Sequence, residues 1–204
     1  MKLYTIPGSC SLAPHIALSE AGAEFDALIV DGASKRAADG TALASLSPKA
    51  QVPVLALDTG EVITENAAIL QYIADRFPGS GLAPAPGGME RVRLQEHLSF
   101  IGSELHKSFG PFFAPEPPEG RARDAAVAKV GARLDHAERL LSHGQPYLTG
   151  ETFTAADAYL FVVANWSGPT GIGIGARPNL AAFLARVGER PAVRAAMRAE
   201  GLLH

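Results

Sequence analysis

Cys10 is the only cysteine of the chain. It sits in Pro7-Gly8-Ser9-Cys10-Ser11, between a short β-prone run and an apolar run at helical spacing. A helix N-terminus offers partial positive charge and free N–H groups, and both stabilise a thiolate. The position therefore suits a reactive sulfur, with a small buried filler as the other reading of the same residue. Position 13 is Ala13, so the motif is no catalytic dithiol. Any disulfide chemistry needs a second thiol from outside the chain.

Three more segments carry groups that bind or move protons. In Gln51-Val52-Pro53 a cis proline bond would present the Val52 N–H and C=O to an extended ligand, although an isolated X-Pro bond is more often trans. In Thr64-Glu65-Asn66 the free N–H groups of a helix start suit a carboxylate, and the Glu65 side chain suits an ammonium. Together they fit the end of an α-amino acid, or they form an ordinary acidic first turn. In Leu105-His106-Lys107 the imidazole can hydrogen-bond near a thiol and Lys107 can meet a carboxylate, or both simply complement a helix dipole. His15 and His97 read as structural, and no ligand spacing suggests a metal. Arg186, Arg190, Arg194 and Arg198 read as a solvated face. Gly171 to Gly175 lacks the strand-to-helix setting of a phosphate loop.

The elements that position these groups follow from pattern. Lys2 to Ile6 is a strand, and Leu12 to Gly22 a helix with Gly22 as its stop. Phe25 to Val30 is a second strand, and Lys35 to Leu46 a loop with a short helix. Val52 to Leu57 and Glu61 to Ile63 are strands joined by a turn at Asp58-Thr59-Gly60. Thr64 is the expected N-cap of a helix with Ile69, Ile73 and Phe77 on one face. A βαβ unit followed by a ββα unit predicts a small mixed sheet covered by helices, an α/β domain. The Gly/Pro-rich stretch from Pro78 to Gly88 marks a boundary. Beyond it the pattern is all-helical: Met89 to Leu105, Arg121 to Leu141, and shorter helices from about Asn179 and from Pro191. Between these last two groups Thr154-Ala155-Ala156-Asp157 reads as a capping box opening a helix apolar all round.

Composition excludes several classes. Lys and Arg number 18 against 21 Asp and Glu, a net charge of −3, so no global basic field exists to hold nucleic acid or an anionic membrane. The apolar run Ala158 to Ala164 is too short to cross a bilayer. Pro7-Gly8 follows Met1-Lys2 too closely for a signal core, so a cytoplasmic protein is expected.

Four segments, MKLYTIPGSCSLAPHIALSEAG, SPKAQVPVLALDTGEVITENAAILQYIADRFP, ELHKSFGPFF and YLTGETFTAADAYLFVVANW, together resemble bacterial beta-class glutathione S-transferases. The likeness runs nearly end to end. It implies a thioredoxin-like glutathione-binding domain over residues 1–78, a linker over 79–88, and an all-helical domain over 89–204 that shapes an electrophile site. It also implies a cis Val52-Pro53 bond and a homodimer. Cys10 and His106 then become the catalytic pair, close together across the domain cleft. Lys35, Gln51, Val52, Pro53, Glu65, Asn66, Ser103 and Lys107 become the glutathione-binding set. Glutathione is a co-substrate, with no permanently bound cofactor and a small electrophile as the second substrate. Glutathione-dependent disulfide reduction or dehalogenation with Cys10 as nucleophile, and a non-catalytic binding module, are the alternatives. Thr5 where the class often has Tyr, Asn66 in place of Gly or Ser, and Ser99 where Asn is frequent depart from the pattern. Thr5 is expected to leave a smaller hydroxyl in the cleft.

Overall fold

The computed structural model describes residues 1–203. β1 (Lys2–Thr5) lies parallel to β2 (Asp26–Ile29). A parallel pair needs a crossover, and α1 (Leu12–Glu20) supplies it. β3 (Val54–Ala56) pairs antiparallel with β1, and β4 (Val62–Thr64) antiparallel with β3, giving the order β2-β1-β3-β4. α1 stops at Gly22, which adopts φ 62°. The Gly22 N–H bonds to Ser19 O and the Ala23 N–H to Leu18 O, which satisfies the last free carbonyls.

After the short α2 (Leu43–Leu46) comes α3 (Asn66–Arg76). Thr64 is not its N-cap. That residue belongs to β4, and Glu65 occupies the cap position at φ 72°, ψ 124°. The expected linker is not loose: Leu82 is buried, and its carbonyl accepts from Ala155 N–H at 2.9 Å.

The helix expected over 89–105 changes character within that span. α4 (Met89–Phe100) gives way to a π-helical stretch over Ile101–Leu105, and α5 (His106–Phe109) follows. Wider π turns inside helices are frequent at functional sites. α6 (Gly120–Leu140) buries Val130, Leu134 and Ala137, which recur at helical spacing on one face. α7 (Ala155–Asn165) has every residue from Ala155 to Ala164 buried. Its capping box is formed: Asp157 Oδ2 accepts from Thr154 N–H at 2.8 Å and from Thr154 Oγ1 at 2.6 Å. α8 (Pro178–Gly188) and α9 (Pro191–Ala199) each begin on proline.

α1 packs on both α7 and α9. One apolar core therefore runs from Leu3, Ile16 and Ile69 into Leu134, Leu160 and Phe183. A smaller core on the other side of the sheet holds Tyr4, Val30, Leu43 and Val54. Arg190 departs from the solvated face expected for it. Its Nε and Nη2 meet the Glu20 carboxylate at 2.6 and 2.8 Å, and its guanidinium lies 4.3 Å from the Phe153 ring centroid. Pro191 restarts the helix at that point and turns Arg190 toward α1, whereas Arg194 pairs only loosely with Glu189 at 3.4 Å.

Candidate active site

A cavity of about 330 Å³ opens where the sheet side meets the helical side. Cys10 reaches it from the β1–α1 turn. Lys49, Gln51, Val52 and Pro53 reach it from the segment before β3, and Glu65 and Asn66 from the start of α3. The opposite wall is Ser99, Ser103, His106 and Lys107, with Tyr159 from α7. The spacing of four along 99, 103 and 107 keeps one helical face on the cleft. The Val52-Pro53 bond is cis, as the family resemblance implies and against the expectation for an isolated X-Pro.

Nine of the ten expected residues thus meet at one cavity; Lys35 does not line it. Lys35 is exposed on the loop after β2, an edge strand separated from β3 by β1. The loop folds back along β2 through the Val30–Ala37 bridge and the Asp31 N–H to Arg36 O bond, which holds Lys35 on that side.

Thr5 is also elsewhere. It is fully buried, with Oγ1 2.7 Å from Ser11 Oγ and 2.8 Å from Glu200 Oε1, and it leaves no hydroxyl in the cleft. Ser99 does line the cleft. Asn66, the remaining departure, donates through Nδ2 to Cys10 O at 2.9 Å and so fastens the cysteine turn to α3. Its Oδ1 is buried without a partner.

Burial governs the electrostatics of both Cys10 and His106. Cys10 Sγ lies 3.6 Å from Val52 O. Burial pushes the thiol up to about 11, outweighing its own backbone N–H and the Lys107 charge, which pull it down. The helix start does not acidify it: α1 begins at Leu12, and desolvation disfavours the charged form more than the terminus stabilises it. His106 is pulled down to about 4, by burial and then by Lys107. That direction favours the uncharged imidazole near neutrality. Glu65 is held below the usual carboxylate range, chiefly by its hydrogen bond from Lys49 Nζ at 2.5 Å. Its positive φ costs on the order of 1–3 kcal/mol, and such strain clusters at ligand sites.

Three residues escaped the sequence reading. Tyr159 is 2% exposed, and its hydroxyl lies 2.7 Å from His106 Nδ1. A hydroxyl in an otherwise apolar helix was the available signal. Lys49 stands two residues before Gln51 and anchors Glu65. Trp166 donates through Nε1 to Gly8 O at 2.9 Å, and its ring meets those of His106 at 4.9 Å and Phe113 at 5.2 Å. Phe113 is 54% exposed, an aromatic face left open to solvent.

A four-stranded mixed sheet with a cis proline ahead of β3, joined to a helical domain that closes a cleft over it, defines a two-domain thioredoxin-like protein. Comparison with known proteins gives the family. Residues 1–75 match "Glutathione S-transferase, N-terminal domain", and residues 100–191 match "Glutathione S-transferase, C-terminal domain". Glutathione S-transferase GstA of Escherichia coli O157:H7 is 40% identical over 202 residues, covering 99% of this chain and 100% of its own. The structure of a bacterial beta-class glutathione S-transferase from Sphingomonas chungbukensis is 47% identical with a TM-score of 0.94, and each chain is fully covered. A sphingomonad glutathione S-transferase solved with glutathione is 48% identical with a TM-score of 0.94, covering 99% of this chain and 100% of that one. The chain belongs to the glutathione S-transferase family.

Proposed function

We propose that this glutathione S-transferase holds glutathione in the cis-proline cleft and lets the sulfur of glutathione, not Cys10, attack the electrophile. The observation that carries the reading is the convergence of Glu65, Lys49, Lys107 and the Val52 backbone on one cavity. Glutathione has two carboxylates, one ammonium and an extended backbone. Two lysines and one glutamate complement those charges, and Val52 offers a strand edge. Gln51, Pro53, Asn66 and Ser103 complete the set.

Burial keeps Cys10 as a thiol, whose S–H suits hydrogen bonding to the glutathione sulfur better than it suits attack. The catalytic contribution is electrostatic, favouring the glutathione thiolate beside the Lys107 charge. The exposed Phe113 ring, edge-on to Trp166, offers a surface for the electrophile. A homodimer and a cytoplasmic location belong to the same reading. Exposed Met89 and Val92 on α4 support an apolar contact with a second copy, and light scattering tests the dimer by giving twice the chain mass.

Calorimetry with glutathione and conjugation of a chloronitrobenzene test the site. Glu65→Gln should weaken glutathione binding roughly 10- to 150-fold, the loss of one charge-assisted contact. Cys10→Ala should keep conjugation within about ten-fold of the wild type. Abolished conjugation in Cys10→Ala that still binds glutathione would make Cys10 the nucleophile and favour disulfide reduction or dehalogenation.

A further inference from the structure

Tyr159 belongs to the cleft by geometry and to the helical core by sequence. It stands at the middle of α7, where its neighbours Ala158 and Leu160 are buried apolar residues. Its phenol is pushed up by burial and then by the neighbouring Cys10, so the hydroxyl keeps its proton. That hydroxyl is 2.7 Å from Nδ1 of His106. The other ring nitrogen, Nε2, has no hydrogen-bond partner among the described residues, while the imidazole itself lines the cavity.

An uncharged imidazole has one donor nitrogen and one acceptor nitrogen, and the bond made at one decides what the other offers. Two arrangements fit a 2.7 Å contact. Either the phenol donates to Nδ1 and Nε2 carries the hydrogen, or Nδ1–H donates to the phenol oxygen and Nε2 is a bare acceptor. A phenol O–H is a stronger donor than an imidazole N–H, and an imidazole nitrogen is a stronger acceptor than a phenol oxygen. Donation by the phenol to Nδ1 is therefore the stronger of the two arrangements.

We propose that Tyr159 is a positioning residue: its O–H donates to His106 Nδ1, which fixes the Nε2–H tautomer and turns that N–H toward the cleft as a hydrogen-bond donor. The proposal rests on the cleft being the catalytic site. It adds a specific role for His106, which becomes a neutral donor to the sulfur or to charge developing on the electrophile, in place of a base or a cation. Both partners come from the helical side, His106 from α5 and Tyr159 from α7.

Long-range 1H–15N correlation on 15N-labelled protein reads the tautomer directly and needs no turnover. The expected result at neutral pH is Nε2–H in the wild type and a mixture of tautomers in Tyr159→Phe. In conjugation assays Tyr159→Phe should lower kcat about ten-fold, the effect of one neutral hydrogen bond, with KM for glutathione little changed. His106→Gln should lower kcat at least as far, and Tyr159→Phe should cause no further loss in that background. A wild-type Nδ1–H tautomer overturns the proposal. So does an equal kcat loss from Tyr159→Phe in the His106→Gln background, which would make Tyr159 structural. Glutathione calorimetry on the wild type separates the two levels: no binding overturns the site, whereas binding with the wrong tautomer overturns only the role of Tyr159.

Discussion

Oε2 of Glu200, near the end of the chain, accepts a hydrogen bond from the backbone N–H of Gly8 at 3.0 Å. Oε1 of the same carboxylate accepts from Thr5 Oγ1 at 2.8 Å and lies 2.9 Å from His15 Nδ1. Ser11 links into the group through Thr5, and Trp166 holds the Gly8 carbonyl. The turn that carries Cys10 is therefore fixed from beneath by residues more than 150 positions away, and the site depends on the docking of the two domains.

Glu200→Ala should destabilise the protein by about 3–5 kcal/mol, because it removes the shared acceptor of a buried network and strands its donors. Glu200→Gln, which keeps one acceptor oxygen, should lose less. Urea unfolding measures both, and a loss below about 1 kcal/mol in the alanine variant would show that the carboxylate is dispensable.

Arg190→Lys should lower stability by about 1–2 kcal/mol although it preserves charge, since an ammonium cannot reproduce the paired Nε and Nη2 bonds to Glu20. Arg194→Ala should change stability by less than about 0.5 kcal/mol, as its contacts with Glu189 are long and exposed. Equal effects of the two substitutions on the thermal midpoint would contradict the distinction.

Local pattern was enough for most elements. Gly22 was legible as a helix stop because only its left-handed geometry allows the closing bonds, and Thr154 with Asp157 was legible because both capping partners are close in sequence. The cleft was legible through motifs that are each local: the cysteine turn, the proline before β3, and the acidic start of α3. What could not be read depends on contacts across the chain. Arg190 looked like one of four surface arginines, and nothing nearby in sequence indicates that Glu20 faces it. Thr5 looked like a weakened cleft residue because its partner Glu200 is 195 positions away. The charge states of Cys10 and His106 stayed open in the sequence, because it shows the helix termini near them and not the burial that opposes ionisation.

The pH dependence of stability tests His106. Its folded value is depressed to about 4 from the ordinary 6.5. Between those values the unfolded chain binds more protons than the folded one, so stability rises with pH there and is lost on acidification. This residue should contribute a loss of at most about 3 kcal/mol between pH 6.5 and 4. The measurement is the difference between wild type and His106→Gln in urea unfolding across that range. A difference that stays flat, or a His106 resonance titrating near 6.5, would show an imidazole open to water.

The state of Cys10 decides between attack by glutathione and attack by the protein. With its thiol pushed up to about 11, only a trace of thiolate exists near neutrality. Alkylation by iodoacetamide should therefore be far slower at pH 7.5 than for a free cysteine, and should rise steeply only above pH 9. The formation of a mixed disulfide with oxidised glutathione, read as intact mass, should follow the same pH course. The neighbouring charges set the signs of the variants. Lys107→Ala removes a charge that stabilises the thiolate, so it should move the midpoint further up, and Glu65→Gln should move it down. His106→Ala deletes a ring that is uncharged over this range, so no loss of cationic stabilisation should follow. A midpoint below about 8 in the wild type, or a clear rise in His106→Ala with no change in Lys107→Ala, would restore a thiolate–imidazolium pair and make Cys10 the nucleophile.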